Sequence, residues 1–472
     1  MIRQIAFREI LENFLSLRFA LSLLLSTCLF LVCGYVFVTA YPEQLNDYGR
    51  KTNENITALR EQSDALYKLA FYKQGIYRKP RPLAICAEGQ EKTLPNYFEV
   101  NAFTAGLPTI KGQVNIALGH FSNVDWVLII SLILSFAALV FTYDSICGEK
   151  QAGTLRLMLA NAIPRYEVLL GKYLGVMITL AIPLIVGMLV SLIIVIPSKD
   201  IAIGGTDWLK ILTIMLVSLL YLSIFVLLGM FISGRTGHPA NSMAILLLVW
   251  VISVVLLPSI CRIIFDVSVK EPTQVELERR LNEVSRDIWD NRDRYGERAG
   301  YMSNDPNDPA NNPPARARLR DAIRDAENQV MEEHHNKLLS QAFGRRNFAS
   351  ISPAVIYQRA CEAFAGTGID RCVHLCKQVK RYGANLKEFI RDRDLEDPDS
   401  LHLINPERKT AVSWRAISHN PVDFDTVPKF QERDLALGQS LKLAIWDIGV
   451  LALFNLVFFA ASFVSFLRYD VR

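Results

Sequence analysis

The chain has 472 residues, of which 51% are hydrophobic and 21% still charged. That mixture argues against a single globule and for apolar blocks separated by polar ones. A formal net charge of +4 is too small to point to nucleic acid. The eight cysteines form no C-x-x-C pair, which argues against a zinc ribbon or a thioredoxin-type centre.

In residues 1–18, Ile2, Ile5, Ile10, Phe14 and Leu17 recur at near-helical spacing among Arg3, Arg8 and Arg18, the pattern of an amphipathic helix lying in the membrane interface. The apolar run that follows is too long for a signal peptide and lacks an A-x-A exit. A bilayer core needs about 20 apolar residues at helical rise. Six stretches meet that length, at 19–41, 124–144, 173–196, 208–232, 243–265 and 443–467, and they make this an all-α polytopic membrane protein. Arginines ahead of the first span place the N-terminus in the cytoplasm. Counting spans then puts 145–172, 233–242 and the tail 468–472 on the same side. Residues 42–123, 197–207 and 266–440 fall outside.

The first outer block opens as a helical continuation of the first span through Tyr48, Thr52, Ile56, Leu59, Leu66 and Leu69. Pro80 and Pro82 end it. Leu83–Ala87 then reads as a short strand followed by a turn at Gly89. The second block is mainly helical. Leu277, Leu281, Val284 and Ile288, and later Leu319, Ile323, Ala326 and Val330, step by four and three, predicting an antiparallel hairpin of two helices around the Pro- and Asn-rich stretch 299–314. Ser352-Pro353 predicts an N-cap with proline at the first helical position, Gly366 and Gly368 close that helix, and another follows over 370–390. Residues 392–430 are rich in Pro and Asp and read as irregular.

No P-loop is present: around Gly171-Lys172, Tyr166 and Tyr173 stand where glycine and Ser/Thr are required. Neither H-E-x-x-H nor G-x-S-x-G occurs. His334 and His335 are adjacent and point about 100° apart on a helix, so they read as part of a solvated face rather than as ligands of one metal ion. Cys28, Cys33, Cys147 and Cys261 fall in or beside apolar runs and read as packing residues. Cys86, Cys361, Cys372 and Cys376 lie in the outer blocks, where packing thiols and a disulfide are both open readings. Asp447, a turn into the last span, reads as a carboxylate that reaches water at the boundary; Asp125 and Asp144 bracket the second span.

The segment between spans two and three is the most informative. Thr154 is placed to cap a short apolar helix through Leu155, Leu157, Met158 and Leu159, and Pro164 restarts the helix that becomes span three. By physics alone, this piece either lies on lipid or transmits a push from a partner. Glu149, Gly153-Thr154-Leu155, Pro164-Arg165 and Gly171-Lys172 resemble the E-x-x-x-G-T-L, P-x-R and G-K pattern of type-2 ABC transporter permeases. The resemblance implies an interfacial N-terminal helix, six spans and a coupling helix that docks on a separate ATPase subunit. It implies two ATPase copies carrying ATP and Mg, a second permease (identical or homologous), no cofactor and no catalytic residue in this chain, and a bacterial inner membrane with both termini cytoplasmic. Glu149, Gly153, Thr154, Leu155, Arg156 and Met158 would lie at the ATPase contact, with Pro164, Arg165 and Lys172 on its return side. Arg235 and His238 would form a second, smaller contact. Short-loop permeases have no counterpart to residues 266–440. Those residues leave two readings: export of a substrate, or transmission of ATPase motion to a periplasmic partner through the outer helices.

Overall fold

The computed structural model describes residues 1–89, 95–109, 124–155, 164–269, 273–300, 312–403 and 416–467. Six of the described helices are long and apolar enough to cross a membrane: α2 (Leu17–Gln62), α4 (Trp126–Ala152), α5 (Arg165–Val195), α6 (Gly205–Arg235), α7 (Pro239–Ser268) and α12 (Leu437–Leu467). The chain is an all-α polytopic membrane protein. Helix α1 (Ile2–Phe14) precedes them. We call the end of the bundle where α1 lies proximal and the opposite end distal.

Helix α2 does not stop at the end of its apolar run. It continues through Pro42 for 46 residues, about 69 Å of helix, and ends at Gln62, followed by α3 (Leu66–Phe71). Leu66 therefore begins a new helix, with Ser63 turning the chain between them. The β element also differs from the sequence expectation. Leu83–Ala87 is not a strand: Pro82–Ile85 forms a single 3₁₀ turn with proline at its start, and Leu83, Ile85, Cys86 and Ala87 are buried. Proline fixes φ and lacks the N–H that a ladder requires. The three antiparallel strands are β1 (Gln74–Tyr77), β2 (Tyr97–Val100) and β3 (Ala105–Thr109), with Tyr77 opposite Tyr97 and Tyr97 opposite Thr109.

Helices α8 (Gln274–Asp290) and α9 (Pro313–Phe348) run antiparallel. Arg280 pairs with Glu333 at 2.9 Å, the Ser285 hydroxyl donates to Glu327 at 2.7 Å, and Ile288 packs on Leu319 and Ile323. Helix α11 (Ile369–Leu395) then forms a second core with α3 and the sheet, centred on Leu69, Phe98, Leu375, Val379 and Leu386.

Helix α10 (Pro353–Ala365), which the sequence places in the outer block, is packed into the core of the spans. Tyr357 stacks on Tyr221 of α6 with ring centroids 4.5 Å apart and hydrogen-bonds the Ser218 hydroxyl at 2.8 Å. Ser352 stands at the N-cap position but does not cap. Its hydroxyl donates 2.7 Å to the Ser253 carbonyl of α7 instead. Ser253 lies in a π-helical stretch, Val251–Leu256, and a second stretch, Ile129–Leu134, interrupts α4. The Ser131 carbonyl of that second stretch accepts a hydrogen bond from Tyr221 at 3.1 Å. A wider turn loosens the i to i−4 ladder, so these carbonyls are supplied from neighbouring helices, as a low-dielectric interior demands.

Candidate functional site at the proximal end

Three elements meet at the proximal end through a buried ammonium. Lys172, in the second turn of α5, is only 2% exposed. Its Nζ lies 2.8 Å from a Glu149 carboxylate oxygen at the end of α4 and 3.1 Å from a Glu9 oxygen on α1. Two carboxylates around one ammonium leave one excess negative charge, and burial pushes the Glu9 carboxyl up against the opposing pull of Lys172. Geometry next to the charges is equally tight. A Cβ on Gly171 would fall 2.8 Å from Ile5 Cβ, and one on Gly175 would fall 2.7 Å from Glu9 Cβ. Glycine at these two sites lets α1 lie directly on α5, the close approach that small residues permit between membrane helices.

The sequence passed over Glu9, although a signal was present. Glu9 falls four residues after Ile5, so the acid stands on the apolar face that α1 turns towards α5. The reading of Lys172 changes as well. Its ammonium faces inward, so it braces Glu149 rather than presenting a charge to a partner. Leu155 is likewise fully buried.

Around this brace, α4 ends at Gly153, whose backbone is left-handed at φ 74°. Among the described residues, nothing would obstruct a Cβ there. The backbone conformation itself calls for glycine and reverses the chain at the helix end. Ser233 of α6 accepts hydrogen bonds from the Ile146 and Cys147 amides at 3.1 and 3.0 Å, and Lys150 donates to the Gly234 carbonyl. Arg165, immediately after the exposed Pro164, donates to the Phe466 carbonyl at 3.3 Å and to that of Leu467, at the end of α12. Arg18 pairs with Asp144 at 2.9 Å and lies over the Tyr143 ring, joining α2 to α4.

Among the described residues of this end, Gln151, Thr154, Pro164, Tyr166, Arg235 and His238 are exposed. Arg235 lies over the Phe231 ring at 5.0 Å, and its residue is exposed. Arg156 and Met158, and with them the short helix expected through Leu159, lie outside the described residues.

Away from this end, several readings change. Asp447 does not reach water. It is buried and pairs with Arg359 of α10 at 3.3 Å, because α10 occupies the space where water would have stood. A lone cation in the apolar stretch 353–365 and a lone anion in the last apolar run were visible in the sequence, but nothing linear joined them. His334 and His335 are buried rather than solvated: α11 brings Cys376 Sγ to 3.7 Å from His335 Nε2, while His334 has Glu276 and Arg280 of α8 near it. In the same stretch Glu332 is exposed and Glu333 half-buried, and they pair with Lys380 and Arg280. All eight cysteines are free thiols. Cys86 and Cys361 are buried with the spans, Cys372 and Cys376 in the α11 core, so the four outer cysteines divide between two separate cores. Cys28 is exposed on α2 rather than packed. Among the described residues, no three His, Cys, Asp or Glu side chains gather as a metal site.

This architecture has counterparts among known proteins. The chain is 28% identical over 121 residues to a probable ABC transporter permease protein NosY of Stutzerimonas stutzeri, a stretch covering 25% of this chain and 44% of that relative. It is 39% identical over 57 residues to the protein of the same description from Pseudomonas aeruginosa, covering 12% of this chain and 21% of the relative. The chain thus aligns with less than half the length of each of these relatives. The model of the ABC-2 family transporter protein matches residues 5–471. Six spans, the braced proximal end and a family match over nearly its whole length give one conclusion: the chain belongs to the ABC-2 family of transporter proteins, as a membrane-spanning permease-type subunit.

Proposed function

We propose that this permease couples ATP hydrolysis by a separate cytoplasmic ATPase subunit to the export of a substrate from a bacterial cell, and that its proximal end is the docking surface. The observation that carries the reading is the Glu9–Lys172–Glu149 brace. It ties α1, α4 and α5 into one unit, so a force applied at Gln151, Thr154, Pro164 and Tyr166 moves three elements together. Arg235 and His238 offer the second contact. Two ATPase copies, carrying ATP and Mg, would serve a pair of permeases in the inner membrane, with both termini of this chain in the cytoplasm. This chain contributes no catalysis. It converts the differential affinity of the ATPases for two states into a rearrangement of the spans.

The 46-residue continuity of α2 favours a second reading, in which the same motion is delivered to a periplasmic partner without a transported substrate. A helix that passes unbroken from the proximal end into the distal block is suited to transmitting displacement.

The test is co-purification of the full chain with its ATPase, followed by an ATPase assay in lipid discs. Thr154→Arg and Arg235→Glu alter exposed positions, so they are expected to reduce ATPase recruitment at least tenfold while leaving the melting temperature unchanged. If recruitment is unaffected by both, the docking surface lies elsewhere. Stimulation of ATP hydrolysis by a soluble partner, and by no small substrate, would favour the second reading.

A further inference from the structure

We infer that the π-helical stretches of α4 and α7 are two halves of one register switch, and that this switch sets the position of α10 among the spans. Among the described helices, these two spans carry such a stretch, at Ile129–Leu134 and Val251–Leu256. A π turn holds one residue more than an α turn and is frequent at functional sites. Its extra residue is not fixed in place: when carbonyls exchange amide partners, the wide turn migrates along the helix. Each residue it passes then turns by about 100° and shifts by about 1.5 Å.

The two stretches are fastened to each other. Trp250, the residue before Val251, donates its indole N–H at 2.8 Å to the hydroxyl of Ser135, the residue after Leu134. The Trp250 ring also meets Phe136 edge-on, with centroids 5.6 Å apart. Ser135 in turn donates to the Ser131 carbonyl inside the α4 stretch. Tyr221 of α6 donates to that same carbonyl at 3.1 Å. Migration of either wide turn therefore re-aims a hydrogen bond that another helix holds.

Both stretches also hold α10. The Ser352 hydroxyl leaves its own helix uncapped and donates to the Ser253 carbonyl of the α7 stretch at 2.7 Å. Tyr357 stacks on Tyr221, the residue that supplies the α4 stretch, and bonds the Ser218 hydroxyl. Ser218 already gives its proton to the Ile214 carbonyl at 2.7 Å, so Tyr357 is the donor of that pair. Ser135, Ser218, Tyr221, Ser352 and Tyr357 are all fully buried. A hydroxyl released from its carbonyl in such an interior must find another acceptor, so the network has discrete arrangements rather than a continuum. Arg359 joins α10 to Asp447 of α12, so the helix that these bonds position bridges α6, α7 and α12. Glu149 stands at the other end of α4. The inference rests on the ATPase coupling proposed above for its driving force only, and the switch itself belongs to this chain.

The experiment places the full chain in lipid discs, without an ATPase, and follows amide hydrogen exchange by mass spectrometry. Tyr221→Phe keeps the ring and removes the hydroxyl from the Ser131 carbonyl. It is expected to raise exchange about tenfold in 129–138 and about threefold in the separate stretch 250–257. In a Trp250→Phe background the second effect of Tyr221→Phe is expected to vanish while the first remains. Ser352→Ala is expected to raise exchange about tenfold at the start of α10. Ile252 and Leu247 are equally exposed on α7, at 42% and 43%. Deleting Ile252 removes the extra residue of the π turn, so the melting temperature should stay near that of the parent while exchange rises across 353–365. Deleting Leu247, in the α-helical part of the same span, turns its flanks by about 100° and should lower the melting temperature sharply. The inference is overturned if Tyr221→Phe acts on α4 alone with Trp250 present. It is also overturned if deletion of Ile252 is tolerated no better than that of Leu247, or leaves α10 exchange unchanged. Failure of an ATPase subunit to bind the chain would remove the docking surface and leave these results standing.

Discussion

Lys172 Nζ stands 2.8 Å from Glu149, 23 residues earlier in the chain, and the pair is enclosed by a helix that begins at Ile2. The Gly171-Lys172 step is therefore an internal strut. Gly171 admits α1, and Lys172 fastens it.

A buried ion pair costs desolvation to form, so removing one member is worse than removing the set. Lys172→Met is expected to destabilise the protein by about 3–5 kcal/mol, leaving Glu149 and Glu9 to repel each other. The triple variant Lys172→Met, Glu149→Gln, Glu9→Gln is expected to recover most of that loss. Thermal unfolding in detergent followed by tryptophan fluorescence compares them, and a single variant as stable as the parent would refute the brace.

Gly175→Val is expected to lift α1 from α5, since even a Cβ meets Glu9 Cβ at 2.7 Å. Overpacking of this kind costs about 1–3 kcal/mol. Ala6 is buried under the same contact. A cysteine introduced as Ala6→Cys should react slowly with a maleimide in the parent and several-fold faster beside Gly175→Val. Equal labelling rates would mean that α1 is not held by this groove.

Arg359 and Asp447 join α10 to α12 across 3.3 Å. Arg359→Met leaves a carboxylate buried among the spans, which is expected to cost about 3–5 kcal/mol. Adding Asp447→Asn should restore a large part. A double-mutant cycle on the melting transition measures the coupling, and a coupling near zero would remove this contact as the anchor of α10.

His335 lies on α9, outside the spans, and burial pushes its pKa down to about 4; Lys380 lowers it further, while Glu332 opposes. His334 and Cys376 complete its surroundings. Between pH 4 and the ordinary value of 6.5, the unfolded chain binds a proton that the folded chain does not. Stability from this group is therefore complete above pH 6.5 and is lost as the pH falls towards 4, a change on the order of 1–3 kcal/mol. Unfolding of the distal region, followed by hydrogen exchange over that range, should show the loss. His335→Gln is expected to flatten it.

Hydropathy and periodicity made the spans legible because each is a local property: a bilayer selects length and apolarity, and both are written in consecutive residues. The α8–α9 hairpin was legible for the same reason, through the stepping of Leu277, Leu281, Val284 and Ile288 and of Leu319, Ile323 and Val330. The proximal motif was also readable as a pattern. What each residue in it does was not, because Lys172 and Leu155 look like surface residues until α1 and the bundle cover them. Asp447, His334 and His335 were misread on the same ground. A helix wheel shows which residues share a face, but not what covers that face.

By itself the sequence determined the number of spans, the helical character of the distal block and the family resemblance. All of these depend on the composition of short windows or on a motif within one segment. Only the tertiary structure decided that α10 lies among the spans, that Glu9 completes the proximal brace, and that Trp250 and Ser135 join the two π-helical stretches. Those outcomes join residues up to 163 positions apart. They rest on which surfaces close over which polar groups, and burial of that kind has no signature in neighbouring residues.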